Sequence, residues 1–340
     1  MTSSHSTVRV DLGDRSYDVL VGHGVANEIA TQIPDNVRRI AVVTQPGVPI
    51  RLALPVEHKI FEIGNGESNK SITTVEKLCS GFADMGLTRN DLVIGVGGGM
   101  VTDVAGFAAA VFHRGVRVMH VATTLLAMVD AAIGGKTGVN LSAGKNLVGA
   151  FWQPSAVFCE MDALSTLPPE QMRGGLGELA KYHFISGDDF LSMDMQQRIA
   201  RAVRIKADIV AADERESGQR ALLNYGHTLG HAVEIATNFK VQHGEAVAIG
   251  LVYAAHLAEV MGRISDDRVK EHYAVVGSEY GLSTALPKGC TPDVLLPLIA
   301  NDKKALDGLT FVLDSLRGLE VVPGVSEQNV REALAAMEVR

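Results

Sequence analysis

With 340 residues, 46% of them hydrophobic and 35 of them glycine, the chain is long enough for two cores of ordinary size, and its 5% aromatic content suits an Ala/Gly/Val-rich α/β protein. A formal net charge of -8 argues against nucleic acid as a partner, and three widely separated cysteines (Cys79, Cys159, Cys290) offer no disulfide framework and point to a reducing compartment. No uncharged apolar run reaches membrane-spanning length, and the opening residues lack the basic-then-apolar pattern of an export signal, so the expected location is the cytoplasm, with no membrane partner.

Alternation of Val8, Val10 and Leu12, then of Tyr17, Val19 and Val21, around Gly13-Asp14-Arg15 predicts an N-terminal hairpin. Short apolar strands are predicted over 40–44 and 58–63. A helix is expected over 71–85, where Val75, Leu78, Phe82 and Met85 share a stripe. A buried strand over 91–96, a helix over 101–112 and strands over 116–121 and 156–160 continue the alternation of a largely parallel, Rossmann-like sheet. The character changes at Thr166-Leu167-Pro168-Pro169-Glu170. Helices are predicted beyond it over 169–183, 187–212, 218–236, 243–261, 265–279 and 292–303, then a strand pair over 310–313 and 318–322 and a last helix over 326–337. The expected organisation is an α/β nucleotide-binding domain over 1–165 and a mainly α-helical metal- and substrate-binding domain over 166–340.

Three segments carry chemistry. The first is Gly95-Val96-Gly97-Gly98-Gly99, a strand running into a glycine turn that opens a helix at Met100-Val101-Thr102-Asp103. Without Cβ atoms the backbone can approach a phosphate, and the helix N–H groups face it. The spacing departs from G-x-G-x-x-G although the physics is similar. Asp103 reads equally as a first-turn carboxylate stabilised by the helix dipole or as a hydrogen-bond acceptor for a nicotinamide or ribose. In the loop 64–70, Glu67 suits ribose hydroxyls and Lys70 a phosphate or base. The second segment is a central loop in which Asp130, Lys136, Asn140, Lys145 and Asn146 surround short glycine turns, a composition suited to phosphate and polyol recognition.

The third comprises Gly177-Glu178-Leu179-Ala180-Lys181, Asn224 through His231, and His243-Gly244-Glu245. His227 and His231 are four apart on one helix face, so both, or only one, can join Glu178 and His243. Two imidazoles and a carboxylate make a catalytic zinc set with positions left for substrate oxygens. Lys181, Lys206, Arg220 and Asn224 line the approach, as an anionic substrate would require. The competing reading is ordinary salt bridging through Asp213-Glu214-Arg215-Glu216.

Taken together, Gly97-Gly98-Gly99, Gly134-Gly135-Lys136-Thr137, Gly144 through Phe151, Asn224 through His231, His243 through Ala248 and Asp302-Lys303-Lys304 resemble the 3-dehydroquinate synthase family of sugar-phosphate cyclases over nearly the whole chain. The resemblance implies a dehydroquinate synthase-like fold and makes Glu178, His227 and His243 the ligands of one divalent ion, Zn2+ or Co2+. His231 then moves into the substrate pocket. NAD would lie against Glu67, Lys70, Gly97, Gly98, Gly99, Met100, Val101, Thr102, Asp103, Thr123, Thr124, Asp130, Lys136 and Lys145, with Ala163, Leu164, Ser165 and Thr166 closing over it. Substrate residues map to Asp130, Lys136, Asn146, Lys181, Lys206, Arg220, Asn224, His231, Lys303 and Lys304, and Arg114 to an arm reaching the partner's site in a homodimer.

The implied activity is phosphate-eliminating carbon–oxygen lyase chemistry of the shikimate route to chorismate and the aromatic amino acids. An anionic sugar phosphate, 3-deoxy-D-arabino-heptulosonate 7-phosphate, is oxidised at C5 by NAD, loses phosphate, is reduced again, opens and closes by an intramolecular aldol step to 3-dehydroquinate. Where many family members have an aspartate after the strand at 40–44, this chain has Gln45, which puts the detail of ribose binding in doubt. The strings around Asn224–His231, Glu234–Thr237 and Phe151–Pro154 also resemble 3-amino-5-dehydroquinate synthases, and Lys181 places the ordinary enzyme first. Cyclases of sedoheptulose or glucose phosphates, which lack a carboxylate for Lys206 and Arg220 to clamp, rank below. So do polyol dehydrogenases of the glycerol dehydrogenase type, which release NADH, and a non-catalytic binding protein.

Overall fold

The N-terminal hairpin forms as its alternation demands, with β1 (Ser6–Val10) antiparallel to β2 (Tyr17–Gly22) across a single turn at Gly13–Arg15. The computed structural model describes residues 5–216, 218–302 and 309–337, apart from the side chains at 301 and 302. In chain order there follow α1 (Ile29–Gln32), β3 (Arg39–Thr44), β4 (Glu57–Glu62), α2 (Ile72–Asp84), β5 (Leu92–Gly97), α3 (Gly99–Val111) and β6 (Arg117–Ala122). Then come β7 (Lys136–Leu141), β8 (Gly144–Phe151), β9 (Ala156–Glu160), α4 (Pro169–Ser186) and α5 (Met195–Ala212). The remainder is α6 (His227–Ala236), α7 (His243–Val260), α8 (Asp266–Tyr273), α9 (Pro292–Asp302), β10 (Leu309–Leu313), β11 (Glu320–Val325) and α10 (Glu327–Ala336).

Strands β1-β2-β9-β6-β5-β3-β4 make one sheet, parallel except at the β1–β2 pair. Both faces are covered, which is why β5 is buried along its whole length rather than alternating with polar residues. Ala41, Val43, Val93 and Val118 pack with α2 and α3 on one face, while Ile40, Val42, Ile94 and Val121 pack with Val25 and Ile29 on the other. The order in which strands are added to the sheet reverses between β3, which continues outward to β4, and β5, which continues through α3 to β6 on the other side. The crevice outside the carboxyl ends of these two strands is where open α/β sheets take ligands, and the glycine turn stands at it.

Contacts divide the chain into two units: residues 1–172 with 194–215, and 173–193 with 216–340. The first holds the sheet together with α5, and the second is mainly helical with the β10–β11 hairpin. Among the described residues no helix is long and apolar enough to cross a membrane.

Three local expectations are corrected. The central loop is not a loop from Lys136 onward but the hairpin β7–β8. Its strands approach so closely that a Cβ at Gly149 would stand 2.1 Å from the Thr137 carbonyl oxygen, so glycine here serves strand pairing and masks it. The helix expected over 187–212 begins only at Met195, where Asp194 and Gln197 form a capping box after a positive-φ Gly187. The helix expected over 218–236 breaks at Gly226, whose φ of 80° ends a short turn (Gln219–Asn224) and lets α6 start at His227.

Candidate active site

Each candidate metal ligand has a glycine beside it, and the glycines bring the ligands together. A Cβ at Gly177, next to Glu178 on α4, would lie 1.8 Å from the Gly244 carbonyl oxygen, and one at Gly244, next to His243 on α7, 1.7 Å from that of Gly174. Gly226, before His227, is equally close to α7, since a Cβ at Gly250 would meet the Gly226 oxygen at 1.9 Å. The three helices are therefore in backbone contact where the ligands leave them.

Glu178 is fully buried on α4, with Oε1 3.2 Å from His227 Nε2 and 3.0 Å from His243 Nε2. Neither Glu178 oxygen has a hydrogen bond of good geometry despite these distances. A buried carboxylate and two imidazole nitrogens converging on one point fit a cation, and one ligand atom from each of the three residues lies within 4.8 Å of the others. Burial opposes the charge on Glu178, but the Lys181 ammonium, 2.5 Å from Oε2, and the His227 imidazole hold its carboxyl well below the usual range. Burial also opposes the charge on His243, yet the carboxylates of Glu178 and Glu234 push its pKa up to about 10, whereas burial takes that of His227 down.

The far nitrogens are held as well. His227 Nδ1 lies 3.2 Å from the Tyr225 carbonyl oxygen, and His243 Nδ1 2.9 Å from Glu234 Oε2. Such outer contacts fix which nitrogen faces the ion. Glu234 was not foreseen, although it lies seven residues after His227 on α6, two helical turns on and on the same face. His231, on that face too, forms a second potential set with Glu234 and His243. Of the other second-unit candidates, Arg220 is buried and Asn224 donates to Glu216 Oε1 at 2.9 Å. Lys303 and Lys304 lie outside the described residues.

In the first unit the glycine turn closes tightly. Gly98 precedes α3, and a Cβ on it would meet Thr124 at 2.9 Å, one on Gly97 would meet Val101 at 2.6 Å, and one on Gly99 Ala131 at 3.1 Å. Internal packing thus requires small residues at these positions, whatever they bind. Thr44 Oγ1 donates to the Val96 carbonyl at 2.9 Å, which joins the end of β3, just before Gln45, to β5.

Several candidates converge beside this turn. The Lys70 ammonium bonds Asp103 and, at 2.6 Å, Asn146 Oδ1. Asn140 Nδ2 donates to Glu67 Oε1 at 2.7 Å, and Asn140 Oδ1 accepts from the Asn146 amide at 2.9 Å. Burial, reinforced by Asp130 and Glu67 against the pull of Lys70, raises the Asp103 pKa to about 6. Lys206, on α5, puts its ammonium 2.6 Å from both the carboxylate and the carbonyl oxygen of Asp130. It belongs, with the rest of α5, to the first unit. Thr123 is buried, Met161–Thr166 forms a short 3-10 helix, and Lys136 and Lys145 are exposed on β7 and β8. Arg114 is not brought to the turn. It follows the far end of the 13-residue α3, about 20 Å away by helix rise, exposed, with φ at +63°.

Two family models match the chain. That of the 3-dehydroquinate synthase N-terminal region matches residues 60–174 and that of the C-terminal region residues 175–305. A putative aminodehydroquinate synthase of Amycolatopsis mediterranei (strain S699) is 51% identical over 337 residues, covering 98% of this chain and 95% of its own. A 3-dehydroquinate synthase of Thermobifida fusca (strain YX) is 39% identical over 359 residues, covering 98% and 97%. The crystal structure of a 2-deoxy-scyllo-inosose synthase complexed with carbaglucose-6-phosphate, NAD+ and Co2+ matches with a TM-score of 0.87 at 27% identity, over 98% of this chain and all of the other.

Proposed function

This chain belongs to the 3-dehydroquinate synthase family of sugar-phosphate cyclases, and we propose that it is a 3-amino-5-dehydroquinate synthase acting on the amino analogue of 3-deoxy-D-arabino-heptulosonate 7-phosphate. The observation that carries this choice is the 51% identity to a putative aminodehydroquinate synthase, against 39% to a 3-dehydroquinate synthase, each over 98% of the chain. It reverses the order drawn from Lys181. That ammonium sits on Glu178, so the metal-site carboxylate already gives it a role and it no longer separates the two substrates. The ordinary enzyme stays as the second reading, because both matching models bear its name.

Glu178, His227 and His243 would hold one divalent cation, zinc or cobalt, as their nitrogen and oxygen donors suit. The glycine turn with Asp103, Glu67, Lys70, Thr123, Thr124, Lys145 and residues 163–166 would hold NAD. When bound, the two supply a Lewis acid for a substrate hydroxyl and a reversible hydride acceptor. The chain's own residues supply orientation and charge. Lys136, Asn146 and Lys181 would bind phosphate and offset its charge. Arg220, Asn224, His231 and Lys206 would hold carboxylate and hydroxyl groups, and Asp130 would keep Lys206 oriented. Preorganised cations of this kind act on charge as it develops, without reorganising. Arg114 would serve a partner's site in a cytoplasmic homodimer.

The test supplies protein loaded with NAD and Co2+ with either heptulosonate phosphate and follows phosphate release and the carbocyclic product. The amino compound should have the higher kcat/KM, and a preference for the oxygen compound would give the chain to the ordinary reaction.

A further inference from the structure

Tyr225 makes contacts that neither metal ligation nor the proposed substrate requires. It is fully buried two residues before His227, and its hydroxyl lies 2.8 Å from Nε2 of His272, itself fully buried on α8. His272 Nδ1 lies 2.8 Å from the Arg268 carbonyl oxygen. That oxygen can only accept, so the proton is on Nδ1, Nε2 is the acceptor and Tyr225 the donor. Burial lowers the His272 pKa to about 3, in keeping with a neutral ring. Phe184 clamps the imidazole by stacking, with centroids 3.8 Å apart and planes 5° apart, and the Arg268 guanidinium stands 5.2 Å from the Phe184 ring. Phe184 is on α4, six residues beyond Glu178.

The far end of this chain of contacts is the ligand itself. The Tyr225 carbonyl accepts from His227 Nδ1 at 3.2 Å, which leaves the Nε2 lone pair facing Glu178. Between the two residues stands Gly226 at φ 80°, with no side chain to restrain the peptide. The packing of Gly226 on α7 holds one side of that peptide, and the anchored Tyr225 ring holds the side that carries the carbonyl.

We propose that Tyr225 and His272 are positioning residues of the metal centre: their hydrogen bond fixes the carbonyl that sets the tautomer and ring orientation of His227, and through it the affinity for a divalent cation. This rests on the reading of Glu178, His227 and His243 as ligands of one ion.

The test is Co2+ titration of the metal-free full-length protein, wild type and variants, read by the visible absorption of bound Co2+ and by thermal unfolding without metal. Tyr225→Phe removes only the hydroxyl, His272→Phe keeps the stacked ring but not the acceptor, and His272→Gln keeps both an acceptor and a donor. Each Phe variant should lose about 10-fold or more in Co2+ affinity with an altered ligand-field spectrum, as outer contacts to metal-bound histidine commonly do. The double Phe variant should lose no more than either single one, and His272→Gln should restore most of the affinity. Wild-type affinity and spectrum in both Phe variants would overturn the proposal, as would losses in affinity that track only lowered thermal stability with an unchanged spectrum. Failure of the wild type to bind Co2+ would instead remove the metal centre on which it rests.

Discussion

At the scale of single residues the centre is a matter of which nitrogens carry protons. His243 is pressed between Glu178 and Glu234, so in the metal-free protein it keeps its proton up to about pH 10. A cation must displace that proton. Its affinity should therefore rise with pH up to about 10, and Co2+ titration at pH 7 in buffers of differing ionisation enthalpy should show a proton released. The sign for stability is opposite: the raised pKa stabilises the metal-free fold fully below the ordinary histidine range and loses that contribution as pH climbs through about 10. Glu234→Gln should weaken the hold on His243 and cost roughly 10–100-fold in metal affinity, and an unchanged Co2+ affinity would show that Glu234 does not orient the ligand. A cluster of one carboxylate and three imidazoles was legible from residue types and spacing, whereas the choice of His227 over His231 came from the family resemblance. Glu234 and His272 were not legible, because one reads as a surface carboxylate and the other lies 45 residues beyond His227, joined to it only by folding.

At the scale of elements the glycines have two functions that spacing alone does not separate. Those of the Gly97–Gly99 turn read as phosphate binders, yet each also meets a packed neighbour. Those at 177, 226 and 244 drew no attention in themselves, although they bring α4, α6 and α7 into contact. Gly177→Ala or Gly244→Ala must force the helices apart, at a cost of about 3 kcal/mol or more, and with it metal binding. Gly174→Ala, where a Cβ on the same helix meets only the end of the Gln242 side chain at 3.4 Å, should leave both near wild type. Urea unfolding and Co2+ titration check this, and an unperturbed Gly244→Ala would show that the helix contact is not the device that gathers the ligands. The inner parallel strands β3, β5, β6 and β9 were legible because burial on both faces writes them as apolar runs, while the exposed edge strand β4 carries four polar residues in six. The β7–β8 hairpin was not legible, because the close approach of its strands selects glycines at Gly138 and Gly149, which read as turn residues.

At the scale of the whole molecule, chain order and spacing identified the family before any geometry, whereas the choice between two substrates that differ in one heteroatom rested on a single lysine and was reversed by overall similarity. Arg114 lies too far along α3 to join the glycine turn of its own chain. If it completes a partner's site, Arg114→Ala and Glu178→Gln proteins, each inactive, should regain partial activity when mixed under conditions that exchange subunits. No recovery, with exchange demonstrated, would confine Arg114 to its own chain. The proposed reaction oxidises and then re-reduces one carbon on a retained cofactor. Its most direct measurement follows phosphate and absorbance at the NADH wavelength together, over many turnovers, with protein carrying NAD and Co2+ and the amino heptulosonate phosphate in excess. One phosphate per molecule of carbocycle with no net NADH is the result expected. NADH rising in step with substrate consumed, without phosphate release, would make the protein a dehydrogenase and contradict the account.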